Sequence, residues 1–244
     1  MIKQEYLKIV RRRGLFLTAV ILTTVVAIAV IVMSLVVHGS KPQEYTGGKE
    51  LLEDFTGAIV LPAVVFAILM GAQTGAWDMA NGTFRYMAMT GRPRMELYAV
   101  RLPALIAAIL AFVGPAMAIA VVGSLALPLE DFTAVTTAAI LDFVWELMLV
   151  LATYSLVSMA IGALLRSIGA AIAVSLVLNL IGLNLLAALD SVNETLGDLM
   201  LPNVIGRLTG GDSSVSIALA ATALIVWLGA FLGAGALRTV RAEY

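Results

Sequence analysis

The chain contains no cysteine and a single histidine, His38. The first absence excludes disulfides, thiolate metal sites and cysteine nucleophiles, and leaves the redox compartment open. The second excludes the His-Glu-x-x-His pair of a zinc metalloprotease. No Gly-x-Ser-x-Gly elbow occurs either, so a serine hydrolase of that class is excluded. Gly47-Gly48-Lys49 lacks the earlier glycine of a phosphate-binding loop, and Glu50 stands where that loop needs Ser or Thr. The reading is therefore no catalytic residue, no metal site and no bound cofactor in this chain. His38 closes the first apolar run and reads as an interfacial polar residue.

Charge is scarce as well. Only 13% of the 244 residues are charged and 61% are hydrophobic, where a soluble domain holds about 25% charged residues. The mean hydropathy is +1.02. Such a composition belongs to a polytopic membrane protein. The net charge of -1, with no basic run beyond the N-terminus, gives no sign of nucleic acid as a partner.

Apolar runs divide the chain. Residues 1–13 carry Ile2, Tyr6, Ile9 and Val10 at helical spacing, with Lys3, Lys8, Arg11 and Arg12 largely opposite, and read as an amphipathic helix lying on a membrane surface. Residues 14–37 form a first span, too long for a signal-peptide core and followed by no cleavage pattern. Five more follow at 57–77, 102–123, 144–165, 168–189 and 215–237. Pro62 lies within the second and Pro115 within the third, where a kink is expected. Residues 38–56 and 124–133 read as external loops. Asp142 and Glu146, one turn apart, then fall near the outer end of the fourth span. Residues 190–214 read as an external amphipathic or re-entrant hairpin broken by Pro202 and Gly206. Arg166-Ser167 is a very short turn. Gly229/Gly233 and Ala230/Ala234 are small residues four apart, a pattern that lets helices approach closely.

Six spans put both termini on one side. That side holds 12 of the 15 Lys and Arg residues, and the other holds only Lys41, Lys49 and Arg207. The positive-inside rule makes the richer side cytoplasmic. The expectation is a multi-pass protein of the plasma (cytoplasmic, or cell inner) membrane with both termini inside. The spans contain no acid or base at mid-membrane, as a proton-driven carrier would, so energy for any transport must come from elsewhere.

One polar stretch interrupts the apolar pattern on the inner side. It runs Asp78-Met79-Ala80-Asn81-Gly82-Thr83-Phe84-Arg85, then Thr90-Gly91-Arg92-Pro93-Arg94, and closes with Arg101. It resembles the segment between the second and third spans of ABC-2 type transporter permeases: an acid, Gly-Thr, apolar residues, a Pro and Arg turn, and a basic residue entering the next span. Here Asp78 replaces the commoner Glu, and Tyr86-Met87-Ala88-Met89 is poorer in leucine than is usual.

The resemblance implies an all-α membrane protein of six transmembrane helices, N-in/C-in, preceded by an interfacial helix (a type V exporter-like layout). It implies the permease subunit of an ATP-binding cassette exporter, with a lipophilic or amphipathic cargo. The partners are a second copy or a homologous permease, two copies of a separate ATPase subunit that binds ATP and Mg²⁺, and membrane lipid. By the same resemblance residues 78–98 are a coupling segment, in which Asp78, Gly82, Thr83, Phe84, Arg85, Arg92, Pro93 and Arg94 engage the ATPase. Arginines there can pair with acids, and Phe84, Tyr86 and Met87 can fill a pocket. A basic loop binding anionic headgroups is the other reading. The family's translocation path lies near the first, second and fifth spans. Thr23, Thr24, Gln73, Thr74 and Asn179 are the polar residues there, and Asn179 is either a substrate contact or an interhelical hydrogen bond. A scaffold that holds a cytoplasmic partner through the 78–98 loop without transporting anything is the alternative function.

Overall fold

The computed structural model describes residues 1–40, 48–89, 91, 93–126, 135–182, 185, 197–211 and 215–241, apart from the side chains of 38–40, 85, 87, 88 and 180. Every regular element among them is helical. In chain order these are α1 (Ile2–Val10), α2 (Arg13–Ser40), α3 (Gly48–Ala80), α4 (Thr83–Ala88), α5 (Arg94–Ala99), α6 (Arg101–Ala126), α7 (Thr137–Leu165), α8 (Ile168–Val177), α9 (Leu201–Leu208) and α10 (Ile217–Val240). Five helical stretches are long and apolar enough to cross a membrane: 13–37, 48–80, 94–126, 137–165 and 217–240. At about 1.5 Å per residue each exceeds the roughly 30 Å of a hydrocarbon layer.

The boundaries differ from the hydropathy pattern in instructive places. α3 begins at Gly48, so Glu50, Glu53 and Asp54, expected in a loop, lie on a helical extension. Lys49 pairs with Glu53 at 3.4 Å one turn on, with both side chains more than half exposed. α7 begins at Thr137, ahead of the expected 144, where the Thr136 hydroxyl accepts from the Ala139 amide and caps the first turn. The expected fifth span is an α-helix only as far as Val177, and Leu178–Gly182 continues as a π-helical turn. The remainder of 168–189, except Leu185, lies outside the described residues. Pro202 does not break α9 but sits in its first turn, where a missing amide hydrogen leaves nothing unsatisfied, and Gly206 lies within the helix. Residues 190–196 and 212–214 of the expected hairpin are outside the description. α3 and α6 run through Pro62 and Pro115 as continuous helices.

The chain divides into two compact units. One comprises Val10–Phe66 and Ala108–Leu151, the other Met1–Ile9, Ala67–Ala107 and Ala152–Tyr244. In the first, Phe55, Ile59, Phe112 and Leu147 are completely buried. There the Thr23 hydroxyl, itself fully buried, turns back to the Ala19 carbonyl at 2.8 Å. A Cβ on Gly123 would press into the Ile31 side chain, so the glycine admits α2 beside α6. Beside it a wholly aliphatic groove of about 440 Å³ is lined by Ile31, Ala118, Ile119, Val122, Gly123 and Ala126.

In the second unit α3 and α7 touch backbone to backbone. A Cβ on Gly71 would collide with the Ser155 carbonyl, one on Gly75 with the Met159 carbonyl, and one on Gly162 with the Ala72 carbonyl. Glycine four apart on one helix, meeting glycine on the other, is the close-approach geometry of membrane helix pairs. The pattern marked in the sequence, Gly229 and Gly233 on α10, has open space at both positions, so it makes no close helix contact within this chain. α2 and α10 bury only 17% and 11% of their most apolar windows, against 56% and 67% for α3 and α7. On α2, Leu17, Ile21, Val25, Ile28 and Val32 form one exposed apolar stripe at helical spacing. Such a surface is stable in hydrocarbon, not in water.

Candidate functional site

The stretch joining α3 to α6 is built from two short helices and two glycines. α3 ends where Gly82 takes φ +70, and the chain turns again at Gly91 with φ +79. Both lie in the left-handed region that glycine enters without a steric penalty. α4 follows the first turn, and Pro93 caps the start of α5, its carbonyl accepting from the Glu96 and Leu97 amides. Gly82 therefore precedes α4, and Pro93 precedes α5. Met79, Phe84 and Leu97 pack together beneath it, one each from α3, α4 and α5.

At its base lies a buried ion pair. Asp78, at the end of α3, and Arg101, the first residue of α6, meet at 2.8 Å with side chains only 7% and 1% exposed. The same guanidinium donates to the Thr74 and Gly75 carbonyls at 3.3 and 3.4 Å and lies 5.7 Å from the centre of the Phe84 ring. The other Asp78 oxygen accepts from the Thr83 hydroxyl at 3.1 Å. Lys8 of α1 reaches the carboxylate at 3.5 Å and Glu5 at 2.7 Å. A planar fork with several donors can serve a carboxylate, two carbonyls and an aromatic face at once, which an ammonium cannot. One carboxylate thus connects α1, α3, α4 and α6.

This geometry corrects two expectations. Asp78 and Phe84, assigned to a surface that meets a partner, are inside the protein: Phe84 is completely buried and Asp78 is engaged by Arg101. Among the described residues the exposed large hydrophobic side chains of the segment are Tyr86, Met89 and Met95, at 72%, 66% and 55%. Arg94 donates to the Val240 carbonyl at 2.9 Å, at the C-terminal end of α10. Arg166, which terminates α7 in a left-handed conformation, donates to the Arg238 carbonyl at 3.5 Å. Cations at a helix C-terminus satisfy its free carbonyls and its dipole. Arg92 and the side chains of Arg85 and Met87 lie outside the described residues.

The residues of the expected translocation path are spread over both units. Thr24 is half-buried in the first unit, its hydroxyl without a hydrogen-bond partner. In the second, Gln73 is half-buried, and Thr74 is buried with its hydroxyl unpaired. Asn179 is buried in the π-helical turn and donates to the Ser158 hydroxyl of α7 at 3.2 Å and to the Ser175 carbonyl at 2.7 Å. It thus makes an interhelical hydrogen bond. Among the described residues no cluster of three or more His, Asp or Glu side chains is arranged to hold a metal.

The sequence reading did not find the Asp78–Arg101 pair, the Lys8 contact or the Gly71/Gly75/Gly162 seam. Its usable signals were one acid and one base at facing span ends, and Gly-x-x-x-Gly within GAQTGA. Comparisons with protein-family models, curated proteins and solved structures each return no match to this chain.

Proposed function

We propose that this chain is the permease subunit of an ATP-driven membrane transporter, an exporter of lipophilic or amphipathic molecules. It works as a pair with a second permease, and a separate ATPase subunit, two copies per assembly, binds ATP and Mg²⁺. In this reading the chain crosses a cytoplasmic membrane six times with both termini inside, which sets the α4–α5 segment on the ATPase side. The observation that carries this reading is the Asp78–Arg101 pair beneath the segment. A partner pressing on α4 moves α3 and α6 together, because the buried pair and the Phe84 ring leave little slack between them. Lys8 extends the connection to α1, and Arg94 extends it to α10. Among the described residues Tyr86, 72% exposed, is the side chain best placed to enter a pocket on the ATPase, with Arg94 on the same segment to meet acids around it.

The reading is tested by purification in mild detergent and identification of what comes with the chain. An ATPase of the cassette type should copurify, and the chain alone should hydrolyse no ATP. Tyr86→Asp should weaken that association about 30-fold, corresponding to the roughly 2 kcal/mol of a contact hot spot. A cytoplasmic partner without ATPase activity would replace this reading with that of a scaffold.

A further inference from the structure

Midway along the expected fifth span, two polar groups are left unused. Asn179 is 1% exposed and Ser175 and Ser158 are completely buried. Both side-chain hydrogens of the Asn179 amide are engaged, one by the Ser158 hydroxyl and one by the Ser175 carbonyl. Its Oδ1 accepts nothing, and neither does the Ser175 hydroxyl have a partner. The contrast with neighbouring residues is informative. Ser124, Ser155 and Ser158 each turn their hydroxyl back onto a carbonyl three or four residues earlier. That back-bond is the ordinary solution for serine within an apolar helix. Ser175 does not adopt it, and stands one turn from an amide oxygen that is also unused. Fastening α8 to α7 needs only the donors of Asn179, so the free acceptor and free hydroxyl are not explained by helix packing.

The turn that carries Asn179 is itself unusual. Leu178–Gly182 is π-helical, a distortion that recurs at functional sites and loosens the regular ladder of backbone bonds. Neither residues 147–165 nor 168–182 contain an Asp, Glu, Lys, Arg or His. A charged ligand would find no counter-charge there. A donor and an acceptor side by side, without charge, suit a single neutral hydrogen-bonding group.

We propose that the Ser175 hydroxyl and the Asn179 amide oxygen, held in place by Ser158, form a hydrogen-bonding site within the membrane for one neutral polar group. Water fills it at rest, and the hydroxyl or amide of an amphipathic molecule replaces that water. The inference needs only that α7 and α8 are membrane-embedded, and it holds whether or not the chain is a transporter.

The natural absence of cysteine allows a clean test. Thiol reagents react with the thiolate, which forms only where water reaches. Ser175→Cys and Asn179→Cys are each treated with a charged methanethiosulfonate in the folded, membrane-reconstituted protein. Val177→Cys, 58% exposed on the apolar surface of the same helix, is the reference. Both site variants should react about tenfold or more faster than the reference. 1-Dodecanol should slow them severalfold, while dodecane should not. Labelling at the reference rate in both variants overturns the site, and equal slowing by alcohol and alkane overturns its preference for a polar group. Neither measurement involves an ATPase, so failure here and failure of the transporter reading are separate results.

Discussion

Asp78 and Arg101 offer a measurement of how firmly the α3–α6 connection is held. Asp78→Ala leaves a guanidinium, 1% exposed, with two long carbonyl contacts at 3.3 and 3.4 Å and the Phe84 ring. Arg101→Met leaves the carboxylate with the Thr83 hydroxyl and with Lys8, whose side chain is 40% exposed and can shift. Removing one member of a buried pair costs about 3–5 kcal/mol. The aspartate variant should fall at the upper end and the arginine variant at the lower end, because only the carboxylate keeps a second cation. The double variant strands neither charge, so it should be less damaged than the two singles summed, by about 2–3 kcal/mol. Reversible unfolding in mixed micelles, followed by tryptophan fluorescence, supplies the four free energies of the cycle. A coupling below about 0.5 kcal/mol would refute the inference that this pair joins the two helix ends.

Gly75→Leu should separate α3 from α7 and destabilise the protein by about 3 kcal/mol or more, since a backbone carbonyl blocks the added carbon. Gly229→Ala, with open space around it, should stay within about 0.5 kcal/mol of the parent in the same unfolding assay. Lys8→Ala should cost less than about 1 kcal/mol because the lysine is partly solvated; a loss as large as that of Arg101→Met would assign Lys8 a buried role that its exposure contradicts. Gly82→Ala, forced to hold φ +70, should lower stability by about 1 kcal/mol. On the proposed transporter reading it should also weaken recovery of a cassette ATPase in a pull-down, whereas Gly14→Ala, at a helical position with open space, should leave recovery unchanged.

Hydropathy identified five of the helices because each is a run of apolar residues longer than a hydrocarbon layer, and that signal is local. That α1 is a helix was legible from another local signal, the spacing of Ile2, Tyr6, Ile9 and Val10. What sequence could not show depends on side chains that meet across space. Phe84 has the composition of an exposed knob, and only the turn at Gly82 determines that it faces inward onto Arg101. Small residues at a spacing of four occur on both α3 and α10, and nothing local distinguishes the pair facing Gly162 from the pair facing open space. Charged residues before the second span suggested a loop, but Glu50, Glu53 and Asp54 continue the helix because a solvated turn tolerates carboxylates near an N-terminus. The regular helix expected over 168–189 contains no proline to announce its change at Leu178, and the distortion coincides with a buried amide that no periodicity reveals.

Lys8 on α1 and the Val240 carbonyl at the end of α10 are both moored to the short bend between α3 and α6. Anything fused just before α1 or just after α10 therefore hangs beside that bend, within reach of whatever lands on it. A reporter or purification handle spliced into a loop remote from the bend would intrude less than one appended in the customary places. A pair of dyes, one on α1 and one at the end of α10, would register the bend's displacement without touching it.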